Sequence, residues 1–244
     1  MTEATRADRV WGVVTAYAEA LGVPVSLRSL CQAAAARLPV SAVAVSVRSG
    51  RVVSEVLCAS GSLSRELEEL QLTVGEGPSL QVLVGGPLVL VGDLDCAESQ
   101  ARWPLFVPVA VQAGARALFA LPLRIGVIRI GVFILYADHP GQLPAEELAE
   151  AWVFAEFARR LVLDEQAGIG TPEGYPVDWL SDSRPEVHQA TGMISVRLGV
   201  GIAEAFSRLR ARAFTEGRPL STVAAEVVAR RRRFDPEHTT REGV

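Results

Sequence analysis

Apolar and polar residues alternate along this chain with two different periods. Apolar positions recur at helical spacing over 9–20 and 26–37, and the spacing then shortens to two residues. Two pairs of strands follow, at 41–59 and 115–137, and a two-residue turn with glycine in each pair predicts a hairpin. The other predicted elements are helices at 64–72, 103–112 and 144–163, a short helix ending at Val84, and a strand at 87–91.

This order of elements predicts an α+β domain in which one layer of helices covers a central antiparallel sheet. A stretch rich in glycine and proline follows at 168–178, and we place a domain boundary there. Beyond it, three amphipathic patterns predict a small all-α domain. The predicted organisation is a first domain at 1–166, a linker at 167–180, a three-helix domain at 181–234 and a disordered tail at 235–244.

Each of the three C-terminal helices carries an apolar stripe that predicts one face turned toward a shared core. The stripes include Val187, Ala190, Thr191 and Ile194, then Ile202, Ala205, Phe206 and Leu209, then Leu220, Val223, Ala224 and Val227. A single core is usually sufficient only above ~70 residues, and this unit is smaller. We therefore expect it to dimerise or to dock on a partner.

Charge is distributed unevenly between the two domains. Residues 181–233 contain ten arginines against five acidic residues, a local charge of +5, whereas residues 1–180 contain thirteen against twenty, a charge of −7. The acidic part includes Glu66, Glu68 and Glu69, which the helical pattern places on an outer surface. The net charge of −4 argues against indiscriminate binding of polyanions by the whole chain. The pattern predicts a basic module that meets a polyanion locally, governed by an acidic sensor.

Several classes of function are excluded by residues that the sequence lacks. All 24 basic residues are arginine, so there is no P-loop lysine and no Schiff-base lysine. The histidines are isolated, and Cys31, Cys58 and Cys96 are far apart, which predicts reduced thiols without a metal or redox site. No catalytic set is recognisable. We expect the protein not to be an enzyme and to hold neither a metal nor a cofactor.

The most apolar stretch, 115–137, is predicted to form buried strands and not a membrane span. It contains Arg116, Arg124 and Arg129, which would be costly at bilayer depth. The N-terminus has two acidic residues and no apolar core, so we expect no signal peptide. These features predict a cytoplasmic protein that does not bind membranes.

The arginines of the basic module indicate which polyanion it meets. Arg208 and Arg212 share a face of the second helix, Arg197 ends the first helix, and Arg218 lies in the following turn. A run of four arginines at 230–233 ends the third helix, which is otherwise small and apolar and would read a DNA major groove poorly. Arginines spread over adjoining helices suit a folded RNA hairpin, so we favour RNA over duplex DNA.

These segments resemble the ANTAR domain, the three-helix RNA-binding module of transcription antiterminators. The resemblance lies in SRPEVHQATGM, IAEAFSRLRARA and RPLSTVAAEVV. The matching positions are Arg184, Ala190, Gly192, Glu204, Ala205, Phe206, Leu209, Arg210, Leu220, Val223 and Ala224. The family usually has a basic residue between the alanine and the glycine, and this chain departs from it with Thr191.

The resemblance implies a homodimer that binds paired stem-loops in nascent transcripts. Ala190 and Gly192 would let the RNA approach the protein backbone closely, and the run at 230–233 would supply the charge that Thr191 lacks. The RNA-binding residues expected from the resemblance and from the charges are Arg184, Ala190, Thr191, Gly192, Arg197, Arg208, Arg212 and Arg218.

The N-terminal domain resembles a GAF sensor domain of the type that precedes ANTAR in actinobacterial regulators. The similar segments are ELEELQLTVGEGPSLQVL, VGDLD, RWPLF, GARALFALPLRIG and IGVFILY. The resemblance implies a sheet of about six strands and a small-molecule pocket between the sheet and the helix after GEGP. The expected pocket residues are Leu83, Trp103, Phe106, Phe119 and Leu135. Ser79 stands where relatives often have a cysteine, so we expect no thiol-based signal.

The sequence thus predicts a cytoplasmic transcription antitermination regulator whose ANTAR domain binds stem-loop RNA under the control of a ligand-sensing GAF domain. Two alternatives stay open. The substitution at Thr191 motivates a signalling protein that acts by protein–protein contact after its RNA binding has decayed. The other alternative is a regulator that binds DNA.

Overall fold

The protein consists of two compact units, residues 1–183 and 184–244, which we call the N-terminal unit and the C-terminal unit. The structure, a computed structural model, describes residues 3–49, 53–166 and 185–234. The predicted linker at 167–180, the predicted tail at 235–244 and Arg184 lie outside the described residues.

The N-terminal unit is built on a five-stranded antiparallel sheet. Its strands are β1 (Ala42–Ser49), β2 (Val53–Ala59), β3 (Val89–Val91), β4 (Ala117–Ile125) and β5 (Ile128–Ala137). They lie in the order β2-β1-β5-β4-β3, so that the two predicted hairpins are joined edge to edge by β1 and β5. The expected fold class is confirmed, although the described residues contain five strands and not six.

Helices cover both faces of this sheet. The helices are α1 (Glu3–Leu21), α2 (Leu27–Arg37), α3 (Ser62–Val74), α4 (Pro78–Leu83), α5 (Ala97–Arg102), α6 (Phe106–Gln112) and α7 (Ala145–Gln166). The first two and α7 pack on the face that carries Val45 and Phe133, and α3, α4 and α6 pack on the face that carries Ile134, with α5 in contact with α6. The prediction of one helical layer is wrong because β4 and β5 are apolar on both faces.

The helix predicted at 103–112 is shorter in the structure, where α6 begins at Phe106. A helix that was not predicted, α5, precedes it and ends at Arg102, with Pro104 between the two. The Glu76 carboxylate accepts hydrogen bonds from the backbone N–H groups of Leu105, at 2.5 Å, and Phe106, at 2.9 Å. It satisfies donors that a helix start leaves without partners, so α6 has a start of its own.

Two of the cysteines form a disulfide, which corrects the expectation of three separate thiols. Cys31 on α2 and Cys58 on β2 are joined through their sulfur atoms at 2.05 Å and are both buried. Helix α2 packs on β1 and β2, which brings together residues that are 27 positions apart in the sequence. Cys96 is a free cysteine and is partly exposed.

The C-terminal unit is a bundle of three helices around a small apolar core. They are α8 (Pro185–Leu198), α9 (Ile202–Thr215) and α10 (Leu220–Val228), and each contacts the other two. The predicted stripes are buried, with the exception of Ile202, whose side chain is 54% exposed. This residue begins α9, where the helix has not yet met its neighbours.

Gly77 allows the loop before α4 to turn against α3. Its φ of +135° lies in a region that L-residues rarely adopt. A Cβ atom at this position would lie 2.4 Å from the side-chain oxygen of Gln71, which is itself buried. A larger residue would therefore meet both backbone strain and a collision with a fixed neighbour.

We expect Gly77→Ala to lower the free energy of unfolding of the full chain by about 1–3 kcal/mol, which is the usual strain energy of such a backbone conformation. Urea denaturation would measure the change. The matched control is Gly61→Ala, because Gly61 has extended backbone and open space around its Cα. Equal stability of the two variants would contradict this role of Gly77.

Candidate functional site

The expected RNA-binding residues of α8 are divided between core and surface. Ala190 and Thr191 are buried, and the Thr191 hydroxyl donates a hydrogen bond to the Val187 carbonyl at 2.6 Å. Gly192 is partly exposed and has open space where a side chain would begin. Arg197 is exposed, and its Nε donates to the Phe234 carbonyl at 2.7 Å. Of these four, Gly192 and Arg197 offer surface to a ligand.

The expected arginines of α9 and the next turn all have acidic partners. Arg208 pairs with Glu204 at 2.8 Å and Arg212 pairs with Glu216 at 2.6 Å, each one helical turn apart. Arg218 pairs with Glu226 at 2.5 Å. Their charges are therefore largely compensated before any ligand arrives.

Two acidic residues tie three arginines into one group, which we call the Glu216/Glu226 cluster: Arg212, Glu216, Arg218, Glu226 and Arg232. Arg232 donates to Glu216 at 2.5 Å and to Glu226 at 2.8 Å, so it bridges the two carboxylates. Hydrogen bonds from Arg218 and then Arg232 lower the pKa of Glu226 from 4.5 to about 2. The bridge by Arg232 likewise lowers the pKa of Glu216. Both carboxylates are therefore ionised at neutral pH.

The turn after α10 is folded back onto the bundle and forms a pocket with α8. The backbone N–H groups of Arg230 and Arg231 donate to the carbonyls of Val227 and Glu226, and Arg230 has a left-handed φ of 57°. The pocket has a volume of about 560 Å³. It is lined by Gly192, Met193, Ile194, Val196, Arg197, Val227, Arg230, Arg232, Arg233 and Phe234.

Three arginines at this end of the unit have no acidic partner among the described residues: Arg230, Arg231 and Arg233. Two of them, Arg230 and Arg233, line the pocket. The sequence pattern identified the arginine run, but it gave no indication that Phe234 joins the same surface. Hydrogen bonding of the Phe234 carbonyl to Arg197 places it there, and this contact joins residues 37 positions apart.

The expected pocket residues of the N-terminal unit lie on opposite faces of the sheet. Leu83, Trp103 and Phe106 belong to the cluster under α3 to α6, whereas Phe119 and Leu135 face α1, α2 and α7. All five are at most 5% exposed. The sheet separates the two groups, so they do not line one cavity.

A buried polar network occupies the space between the sheet and the helix after GEGP. Its centre is Glu68, which is 3% exposed and was expected on the outer surface. The Glu68 carboxylate accepts hydrogen bonds from Ser46 at 2.5 Å, Tyr136 at 2.7 Å, and Gln71 and Ser79 at 2.8 Å each. Satisfied hydrogen bonds make the burial of such a group tolerable.

The sequence contains a signal for this burial, which the charge of Glu68 conceals. The buried positions of α3 include Ser64, Leu67, Glu68, Gln71 and Leu72, at the spacing of one helical face. On the sheet, Ser46 and Tyr136 lie on the same face as Ala44 and Ile134. Polar residues on both sides of one interface therefore meet in its interior.

The network also fixes the protonation of Tyr136. Burial and then the negative charge of Glu68 raise the pKa of Tyr136 well above its ordinary value, so the hydroxyl remains a donor. Ser79, at the position where a cysteine was considered, holds the network to α4. Its hydroxyl donates to Glu68, and its backbone N–H donates to the Gln71 side chain at 2.7 Å.

Both units are similar to known protein domains. Residues 181–228 match the ANTAR domain family. The chain carries an ANTAR domain. The three helices and their core therefore belong to this domain, whereas Arg230, Arg233 and Phe234 follow its last matched residue.

The N-terminal unit has the fold of solved GAF domains. The GAF domain of a Coxiella burnetii phosphoenolpyruvate-protein phosphotransferase is 14% identical, with a TM-score of 0.51, over 66% of this chain and 97% of that one. The GAF domain of an Acinetobacter phosphoenolpyruvate-protein phosphotransferase is 13% identical, with a TM-score of 0.50, over 69% and 98%. At such identity the likeness establishes the fold alone. No curated protein is significantly similar to the chain.

Neither a membrane span nor a metal site is found in the part of the chain that the structure describes. None of its helices is both long and apolar enough to cross a bilayer. No three His, Cys, Asp or Glu side chains in the same residues are grouped as metal ligands would be.

We expect Tyr136→Phe to lower the free energy of unfolding by about 1–3 kcal/mol, because it leaves the buried Glu68 carboxylate without one of its donors. Urea denaturation of the full chain would measure it. Tyr17→Phe is the matched control, since the Tyr17 hydroxyl has no hydrogen-bond partner among the described residues. If the two variants were equally stable, the hydrogen bond to Glu68 would not contribute.

We expect Glu226→Gln to lower the thermal stability of the C-terminal unit and to remove part of its acid sensitivity. The pKa of Glu226 is depressed in the folded state, so its stabilisation is complete above pH 4.5 and is lost as the pH falls toward 2. Circular dichroism melting between pH 2 and 7 would measure it. Glu204→Gln, which breaks a single surface pair, is the control. An unchanged acid profile in Glu226→Gln would contradict the assignment.

Proposed function

We propose that this protein is a cytoplasmic transcription antitermination regulator, in which the ANTAR domain binds stem-loop RNA and the GAF-like unit controls that binding. Its target is a pair of hairpins in a nascent transcript, and binding to these hairpins prevents formation of a terminator. The match at residues 181–228 supports the general function. The fold of the N-terminal unit supports a regulatory role for that unit.

The observation that carries RNA binding is a group of three arginines after α10 that have no acidic partners among the described residues. Arg230, Arg231 and Arg233 lie next to a pocket whose other side is formed by α8. Phosphates attract such uncompensated guanidinium groups strongly, because no internal ion pair has to be broken first. Among the expected residues, Arg197 and Gly192 belong to this same surface.

The remaining expected arginines have a second role in this proposal. Arg208, Arg212 and Arg218 hold the helices through ion pairs, and they contact RNA only when a phosphate competes with a carboxylate. Ala190 and Thr191 support α8 from the core. Arg184 remains a proposed RNA contact outside the described residues.

Control by the N-terminal unit requires a ligand to change its interior. The polar network around Glu68 fills the space expected for a small molecule between the sheet and α4. A ligand that enters there must replace hydrogen bonds of Ser79 and Tyr136 with its own. We therefore propose a polar ligand with several hydrogen-bonding groups as the signal.

Homodimerisation is part of the proposal, because two hairpins are best held by two ANTAR domains. Avidity from two linked sites strengthens contacts that are weak singly. The C-terminal unit has an exposed apolar side chain at Ile202, at the start of α9, which a second copy would cover.

A signalling protein that acts by protein–protein contact is the second candidate. The ion pairs of Arg208, Arg212 and Arg218 favour it, because they reduce the charge available to RNA. The two candidates differ in their dependence on salt. Phosphate contacts weaken steeply as salt rises, whereas apolar docking does not.

We expect the full-length protein to bind a two-hairpin RNA from a leader of its own genome more tightly than scrambled RNA or duplex DNA. For three or four phosphate contacts, affinity should fall roughly 20- to 50-fold between about 50 and 200 mM salt. Fluorescence anisotropy would measure both properties. Selective, salt-dependent binding supports the proposal; equal binding of all three nucleic acids, or none, would overturn it in favour of protein contact.

A further inference from the structure

We propose that the pocket between α8 and the turn after α10 binds one unstacked nucleotide of an RNA loop, with Phe234 as the stacking surface for its base. This inference rests on the proposed function and names a site within it. The residues that distinguish the site, Arg230, Arg233 and Phe234, follow the matched ANTAR domain.

The dimensions of the pocket fit a nucleotide. Its volume of about 560 Å³ lies within the range of about 300–1,000 Å³ that is usual for small-molecule sites. One wall is α8, from Gly192 to Arg197, and the other is the segment from Val227 to Phe234. Gly192 adds room, since apart from its chain neighbours and its own helix backbone no described residue has an atom within 4 Å of where a Cβ would lie.

The pocket is lined by apolar and aromatic side chains that are exposed to solvent. Val196 is 87% exposed and Met193 is 38% exposed, although both are apolar. Phe234 lies among them at the end of the turn. Bases of single-stranded RNA stack on aromatic side chains and pack on aliphatic ones, so such a surface gains a partner when a base enters.

The charges of the pocket fit the phosphate of the same nucleotide. Arg230 and Arg233 line it and have no acidic partner in the described residues, whereas Arg232 is neutralised by Glu216 and Glu226. Among the described residues, no acidic side chain lines the pocket. Two uncompensated guanidinium groups beside an apolar wall match a ligand that is anionic at one end and flat and apolar at the other.

The pocket is held in shape before any ligand binds. The ion pairs of Arg232 fasten the turn to the Glu216/Glu226 cluster, and the Arg197 guanidinium fastens the Phe234 backbone to α8. The backbone hydrogen bonds of Arg230, Arg231 and Arg232 close the turn itself. A site that is ordered in advance loses less conformational entropy when the nucleotide binds.

The test compares Phe234→Ala with Phe214→Ala and Arg233→Gln with Arg124→Gln in the full-length protein. Phe214 is an exposed aromatic residue outside the pocket, and Arg124 is an exposed arginine of the N-terminal unit, outside the proposed RNA surface. Loss of one stacked base should weaken binding of the two-hairpin RNA roughly 5- to 150-fold in Phe234→Ala. Arg233→Gln should lower the slope of log affinity against log salt by about 1.

A second measurement keeps the test independent of folding. The adenine analogue 2-aminopurine, placed at each loop position in turn, should change its fluorescence at one position when the wild type binds. That change should be lost in Phe234→Ala and kept in Phe214→Ala, with circular dichroism confirming that both variants fold. A change that persists in Phe234→Ala overturns the pocket. It would also be overturned by equal affinities within both pairs of variants.

Failure of the pocket and failure of the proposed function give different results. If the wild type binds the hairpins selectively and the pocket variants behave as their controls do, the inference is wrong and RNA binding stands. If the wild type has no preference for hairpins, both are wrong. Binding of free nucleotide without hairpin preference would assign the pocket to a soluble nucleotide and would also overturn the inference.

Discussion

Two carboxylates, Glu216 and Glu226, decide which arginines of the C-terminal unit can attract an anion. They hold Arg212, Arg218 and Arg232 within hydrogen-bonding distance, so these three arginines join the turns of the bundle and each has a carboxylate beside its charge. Arg230, Arg231 and Arg233, which follow α10, keep their charges without an acidic partner among the described residues. Arg210 on α9 also has no such partner and lies over the ring of Phe206.

The N-terminal unit manages a buried charge by a different means. Glu68 lies in the interior, where four side-chain donors converge on its carboxylate. Those donors come from β1, β5, α3 and α4, so one side chain specifies how four elements meet. Polar networks of this kind are costly when one member is missing, and they therefore favour a unique arrangement of the elements around them. A signal that rearranges one of these donors would therefore affect the packing of all four elements.

The elements and the fold class could be predicted from the sequence because they depend on local spacing. The two hairpins follow from alternation, and the stripes of α8 to α10 follow from the helical period. The contacts that build the sites depend on residues far apart in the chain. Cys31 meets Cys58, Glu68 meets Tyr136, and Arg197 meets the backbone of Phe234. No local pattern encodes those distances.

The same limit explains why the RNA surface that we propose lies after the end of α10, whereas the spacing of arginines in the sequence had indicated α9. Arg208 and Arg212 were attractive because they share a helix face, yet that spacing also places Glu204 and Glu216 one turn away from them. An arginine is more available to a ligand when the fold provides it with no acid, because no ion pair has to be broken first. A turn beyond the last helix, fastened through Arg197 and Arg232, meets that condition while remaining ordered. Charge that is both uncompensated and fixed in position distinguishes a binding site from a solvated basic tail.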